Sequence, residues 1–170
     1  AHPDKIHFAS ESEKSSAGKK FAELNAAYNC LAEPKSRLLH LLELELGAKP
    51  KDIQQIPECL ADLFVEASTA CRSADNFLAE KSKAASPLLQ VQFFERAQEW
   101  IERLNLLRKE LDGLHGQLMD ELKLLDAKWI VGNSETRGEL LKKLEELYRL
   151  FGYFNRWNGQ IQGRIVELTF

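Results

Sequence analysis

Apolar residues recur at helical spacing along almost the whole chain. Phe21, Leu24, Tyr28 and Leu31 follow one another at steps of three, four and three, which is one face of an amphipathic helix. Pro34 ends that helix, because the residue before a proline avoids helical backbone. A leucine-dense run from about Lys35 to Leu46 predicts a second, short helix with Gly47 as its C-terminal stop. Residues 8–18, rich in Ser, Glu, Lys and Gly, are expected to form a solvated loop or a frayed helix entry. Residues 47–57 carry Pro50 and Pro57 and are expected to be a linker.

Beyond the linker the pattern lengthens into seams. Leu60, Phe64, Ala67, Cys71, Ala74 and Leu78 alternate steps of four and three. Ala97, Trp100, Leu104, Leu107, Leu111, Leu114 and Leu118 do the same, as do Leu140, Leu144, Leu147, Phe151 and Phe154. Ile161, Ile165 and Leu168 continue the last seam after a one-residue phase adjustment. Three such seams predict three long helices with coiled-coil-like packing. Ser86 before Pro87 marks the start of the second, a cap followed by proline at the first helical position. Gly132-Asn133-Ser134 is a turn and cap ahead of the third. Short connections make neighbouring helices antiparallel. The expected fold is therefore all-α, with a short helical region over 1–47, a linker over 48–57 and a three-helix antiparallel bundle over 58–170. Gly113 and Gly116 interrupt the longest helix, where close packing or a mild bend is the expected reason.

Composition narrows the function. No alternation of Val, Ile and Thr reads as a strand, which excludes a sheet-based enzyme fold. The net charge of −3 offers no broad basic field, so no nucleic-acid partner is expected. Apolar runs are only a few residues long, so no membrane span and no membrane partner is expected either. Cys30, Cys59 and Cys71 form no C-x-x-C pair and read as small buried apolar residues in a reducing compartment. His2, His7, His40 and His115 are scattered, so neither a metal nor any other cofactor is expected. Glu145 and Glu146 sit beside Lys142 and Lys143 on an amphipathic helix, as a solvated face. With no nucleophile–base pair and no glycine-rich phosphate loop, the chain is not expected to be an enzyme.

One tripeptide stands apart. His2-Pro3-Asp4, followed by Lys5, places a titratable ring, a rigid turn former and a carboxylate in one loop. An ordered Asp4 carboxylate presented outward suits pairing with an arginine of a partner. Taken alone, the tripeptide reads as an exposed N-terminal turn. The residues after it change that weighing. Phe21-Ala-Glu-Leu24-Asn25-Ala-Ala27-Tyr28, then Leu31, resembles the F-x-x-L/I-N-x-A-Y/W-x-x-L helix of J-domains. Pro34-Lys-Ser-Arg37 and the leucine run to Gly47 resemble the P-x-x-R and L-L-x-L-x-G version found in the HscB family of iron–sulfur cluster assembly co-chaperones. His40 stands where that family has an aromatic, and one residue is added before Gly47. The resemblance covers residues 2–47 at the level of motif. Over 57–170 it is architectural, apart from Gly152-Tyr153-Phe154-Asn155, which resembles the family's scaffold-contacting aromatic position on the last helix.

The resemblance implies a partial J-domain, its third and fourth helices, ahead of the bundle. It implies a chaperone-binding loop of His2, Pro3, Asp4 and Lys5 that docks a DnaK/HscA-type heat-shock chaperone and stimulates its ATPase. It further implies a scaffold-binding surface of Asp62, Leu63, Phe64, Val65, Glu66, Tyr153 and Phe154 on the bundle, for an iron–sulfur cluster scaffold protein. Leu63, Val65 and Tyr153 fall off the seams, so they are apolar where exposure is expected; Phe64 and Phe154 lie on them and fit core packing equally well. The family's acidic run is replaced here by Ser68-Thr69-Ala70-Cys71-Arg72-Ser73. The implied compartment is bacterial cytoplasm or mitochondrial matrix. A J-domain has two helices ahead of this loop, so the natural protein is expected to begin well upstream of Ala1. Chaperone stimulation is expected to need that longer form. Two other readings stand beside this one: a J-domain co-chaperone with a different client, and a structural helical module in which the tripeptide is accidental. Self-association is open under all three, because such seams serve bundles within and between chains equally.

Overall fold

The computed structural model describes residues 10–50, 56–83, 87–132 and 134–170. The chain divides into two compact units, residues 1–51 and 52–170. Among the described residues every regular element is helical.

The first unit holds α1 (Glu11–Ala32) and α2 (Pro34–Leu46). Residues 11–18, expected as loop or frayed entry, belong to α1. The signal was a capping box, Ser10-x-x-Glu13, hidden in a stretch of loop-like composition. The Ser10 side chain accepts from the Glu13 amide, and Glu13 accepts from the Ser10 amide at 2.9 Å. Those hydrogen bonds hold the Glu13 carboxyl below the usual carboxylate range. Glu33 closes α1 in extended backbone and caps α2, accepting from the Ser36 amide at 2.7 Å, while Pro34 takes the first helical position. Gly47 ends α2 in left-handed backbone at φ 70°, donating its amide to the Glu43 carbonyl at 3.0 Å. Leu38 and Leu42 of α2 are buried. Leu24, Tyr28 and Leu31 of α1 are exposed and Phe21 is half-buried, so the amphipathic face of α1 is largely at the surface.

The second unit opens with a 3-10 turn over Glu58–Leu60 and continues into α3 (Ala61–Lys81), α4 (Pro87–Val131) and α5 (Ser134–Thr169). Helices α4 and α5 pair antiparallel: Arg108 donates to Gln162, His115 stacks edge-on against Phe151 at 5.2 Å, and Arg137 lies 4.8 Å over the Trp129 ring. Helix α3 runs antiparallel to α4, with Phe77 against Phe93 at 5.7 Å and Arg96 bridging both rings and Glu80. It runs parallel to α5, with Phe64 against Trp157 at 5.9 Å and Lys81 donating to the Leu168 carbonyl at 3.5 Å. Arg164 fastens the middle of that pair, donating to Asp75 at 2.8 Å and to the Cys71 carbonyl at 3.4 Å. Bonding to Asp75 raises the Arg164 pKa above its ordinary value, and burial pushes the Cys71 thiol up, away from the reactive thiolate.

The seams differ from expectation in two places. In α3 the buried set is Leu63, Ala67, Ala70, Cys71, Ala74 and Phe77, preceded by Leu60 of the 3-10 turn, with Phe64 at the surface and Leu78 half-buried. A helix wedged between two others buries two adjacent stripes, and the alanines fit both registers, so periodicity alone did not place the wedge. In α5 no phase adjustment occurs. The seam runs on from Phe154 through Asn158 to Ile161, Ile165 and Leu168 in unbroken steps of four and three. A polar residue at that position broke the apolar pattern, although the Asn158 side-chain oxygen is buried and without a hydrogen-bond partner. A single seam Asn characteristically fixes register at some cost in stability.

The glycines of α4 are also unlike the expectation of close packing. A Cβ at Gly113 or Gly116 meets nothing within 4 Å. Gly113→Ala and Gly116→Ala are each expected to raise stability by about 1 kcal/mol, because they remove backbone freedom without creating a clash. Thermal unfolding checks this. A fall in midpoint for either variant would mean that the glycine accommodates a bend.

Candidate functional site

The surface implied for scaffold binding draws on the start of α3 and the middle of α5. Trp157 is its centre. It is buried at 4% exposure, and three rings surround it: Phe64 at 5.9 Å, Tyr153 at 5.7 Å and Phe154 at 6.0 Å. Helical spacing explains the convergence. Tyr153 and Trp157 are one turn apart on the α3-facing side of α5, and Phe64 reaches them from the opposing edge of α3. Phe154 is buried beneath them as core. Phe64 is 36% exposed, Val65 beside it is 60% exposed, and Tyr153 is half-buried. These four rings make an aromatic shelf with a packed floor and an open top; Val65, a turn of about 100° on from Phe64, is on the solvent face of α3.

The structure does not bring all the expected residues to that shelf. Leu63, expected at the surface, is buried at 8% because it lies on the α3 seam. Asp62 and Glu66 are exposed but sit on the other edge of α3. Phe64 shares its edge with Cys71, seven residues on, whose carbonyl meets Arg164 of α5. Glu66 shares its edge with Glu80, fourteen residues on, which pairs with Arg96 of α4 at 3.5 Å. The carboxylates therefore flank the α4 side and the aromatics the α5 side. The exposed charge nearest the rings in sequence is Arg156, three residues after Tyr153. Trp157, the residue that organises the shelf, fell in the apparent phase break of α5. Its spacing from Phe154 and Ile161 marked it as part of the buried face.

His2, Pro3, Asp4 and Lys5 lie outside the described residues. Among the described residues no group of three or more His, Cys, Asp or Glu is placed to hold a metal ion, and no helix is long and apolar enough to cross a membrane. The shelf contains no nucleophile–base pair; what it offers is contact area. Large rings over a fixed floor lose little conformational entropy on binding, the property that concentrates binding energy in aromatic anchors. Compared with known proteins, the chain matches no protein-family profile, no curated protein and no solved structure.

Proposed function

We propose that this chain is a co-chaperone of the iron–sulfur assembly type, which recruits a DnaK/HscA-type chaperone through His2-Pro3-Asp4 and carries a scaffold protein on its bundle. The observation that carries the reading is the aromatic shelf. Residues singled out by resemblance to that family from two sequence-distant segments, Phe64 on α3 and Tyr153 on α5, meet around Trp157 at one partly exposed place. Support from the sequence is the Phe21–Leu31 pattern and the Pro34–Gly47 run after the tripeptide. In this reading the shelf takes an apolar segment of the scaffold, and the acidic edge of α3 is a separate surface. The compartment is bacterial cytoplasm or mitochondrial matrix, and the chain has no catalytic role of its own.

Two measurements test it. A purified iron–sulfur scaffold protein should bind the chain saturably, with apolar burial giving a negative heat-capacity change. No binding to any such scaffold would leave a J-domain co-chaperone with another client as the better reading. Asp4→Asn should abolish stimulation of chaperone ATP hydrolysis while scaffold binding is retained, because the tripeptide and the shelf lie in different units. Unchanged stimulation would remove the co-chaperone reading altogether.

A further inference from the structure

Nothing so far uses the side of the α4–α5 pair that α3 leaves bare. Helix α3 meets α4 at Phe93 and Arg96, and it meets α5 at Trp157 and Arg164. Asp112 lies about 160° around α4 from Arg96, and Asn155 about 160° around α5 from Trp157, so both belong to the opposite side. There the two helices form an open groove of about 460 Å³, lined by Arg108 and Asp112 of α4 and by Asn155, Asn158, Gly159 and Gln162 of α5. Arg108 donates to Gln162 across it. Two groups of this groove are incomplete within one chain. The Asn158 side-chain oxygen is buried without a donor, which is costly for an acceptor cut off from water. Asp112 is exposed one turn from Arg108, yet it forms no ion pair among the described residues.

The groove is complementary to itself. The links Arg108–Gln162 and His115–Phe151 set the level of α4 against α5, and between them position 110 of α4 falls beside Gly159. A two-fold axis crossing both helices at that level lays each helix antiparallel on its own copy, so that positions equally far from the axis meet. Arg108 then faces Asp112 of the second copy, and Asp112 faces its Arg108. A guanidinium has five N–H donors, enough to keep Gln162 and take a carboxylate as well. Ile101 and Met119, both half-buried, come together in the same way. On α5, Asn155 falls opposite Gln162, which brings amide donors to the place where the Asn158 oxygen lacks one. Gly159 sits at the axis, where the second backbone comes closest and a Cβ meets nothing of its own chain within 4 Å. From Gln98 to Met119 this face is about 32 Å long and two helices, about 20 Å, wide, the order of the roughly 800 Å² per partner that a stable interface buries. We propose that it is the interface of a symmetric homodimer, in which two α4–α5 pairs stack through reciprocal Arg108–Asp112 and Asn155–Gln162 contacts. The apolar seams are filled within the chain, and the polar groove outside them supplies the contact between chains. The shelf is on the other side of the pair, so the inference does not depend on what the shelf binds.

Sedimentation equilibrium of the whole chain is the test. A dimer is expected at roughly 100 μM chain, dissociating on dilution as suits a polar interface of this size. Arg108→Asp sets two carboxylates against each other at both contacts, and Asp112→Arg sets two guanidiniums there. Each should weaken association at least about tenfold. The double variant Arg108→Asp, Asp112→Arg restores opposite charges across the two-fold axis and should recover the dimer. Gly159→Leu should give a monomer at least as stable to heat as the original chain, because its side chain enters space that is open within one chain. Circular dichroism checks that every variant keeps its helicity. A chain that stays monomeric at that concentration overturns the proposal, as does a dimer that survives Gly159→Leu. A folded double variant that remains monomeric overturns the reciprocal pairing and the proposal with it. Dissociation of the dimer by Phe64→Ser would place the contact on the α3 side, which also overturns it.

Discussion

Replacing Phe151 by alanine should remove about 3–5 kcal/mol of stability, the range for deleting a fully buried aromatic ring. Phe151 has no exposed surface, and its ring meets His115 edge-on at 5.2 Å in the middle of the α4–α5 pair. Leu147 one turn before it and Phe154 three residues after it are also buried, so the cavity cannot be filled by a neighbour turning inward. Urea unfolding should show a lower midpoint with an unchanged slope, because the surface exposed on unfolding stays the same. Phe94→Ala is the control: that ring is 63% exposed, and its loss should change stability by no more than about 0.5 kcal/mol. If the two variants lost equal stability, the assignment of α5's inward face would be wrong.

The second large effect is on binding, and it separates residues that stability alone would group together. Phe64→Ser and Tyr153→Ala should each weaken scaffold binding by at least about tenfold, in the range of interface anchors. Their rings are partly exposed, so the fold should lose little. Trp157→Ala should lose binding and also about 3 kcal/mol or more of stability, because the buried indole packs against Phe64, Tyr153 and Phe154. Asp62→Asn with Glu66→Gln should leave binding nearly unchanged, since both carboxylates lie on the α4 edge of α3. Isothermal titration against the scaffold reads all four. A strong effect of the carboxylate pair with none from the rings would move the contact surface to the α4 side.

The helices were legible because their determinants are local. Seam spacing placed α4 and α5, Pro87 marked one start, and Gly47 marked one end. Where expectation and structure part, the missing information was either a polar group doing an apolar position's work or a choice made between helices. Asn158 hid the continuity of the α5 seam. The Ser10–Glu13 box hid a helix start inside a loop-like composition. The face of α3 could not be read from one helix, because Ala67, Ala70 and Ala74 are small enough for either register and the neighbouring helices decide which is used. That same choice carried Leu63 inward and Phe64 outward. It also set Asp62 and Glu66 apart from the rings they were expected to flank. Trp157 was accessible in principle, since it lies three residues from Phe154 and four from Ile161, but an interruption in the stripe was read as a break instead of a bridge.

The unequal lengths of the three packed helices carry a consequence for how the molecule opens. Helix α4 has 45 residues and α5 has 36, whereas α3 has 21. Where α3 lies across the pair, ties such as Arg164 to Asp75 and Arg96 across Phe77 and Phe93 join three chains of turns. Toward the hairpin turn, α4 and α5 hold chiefly each other. Amides of the shared stretch should then exchange with solvent only when the whole unit unfolds, and those of the outer stretch through a smaller, cheaper opening. One continuous hairpin should thus open as two cooperative units, with the boundary between them expected near Leu111 and Trp157, beside the shelf.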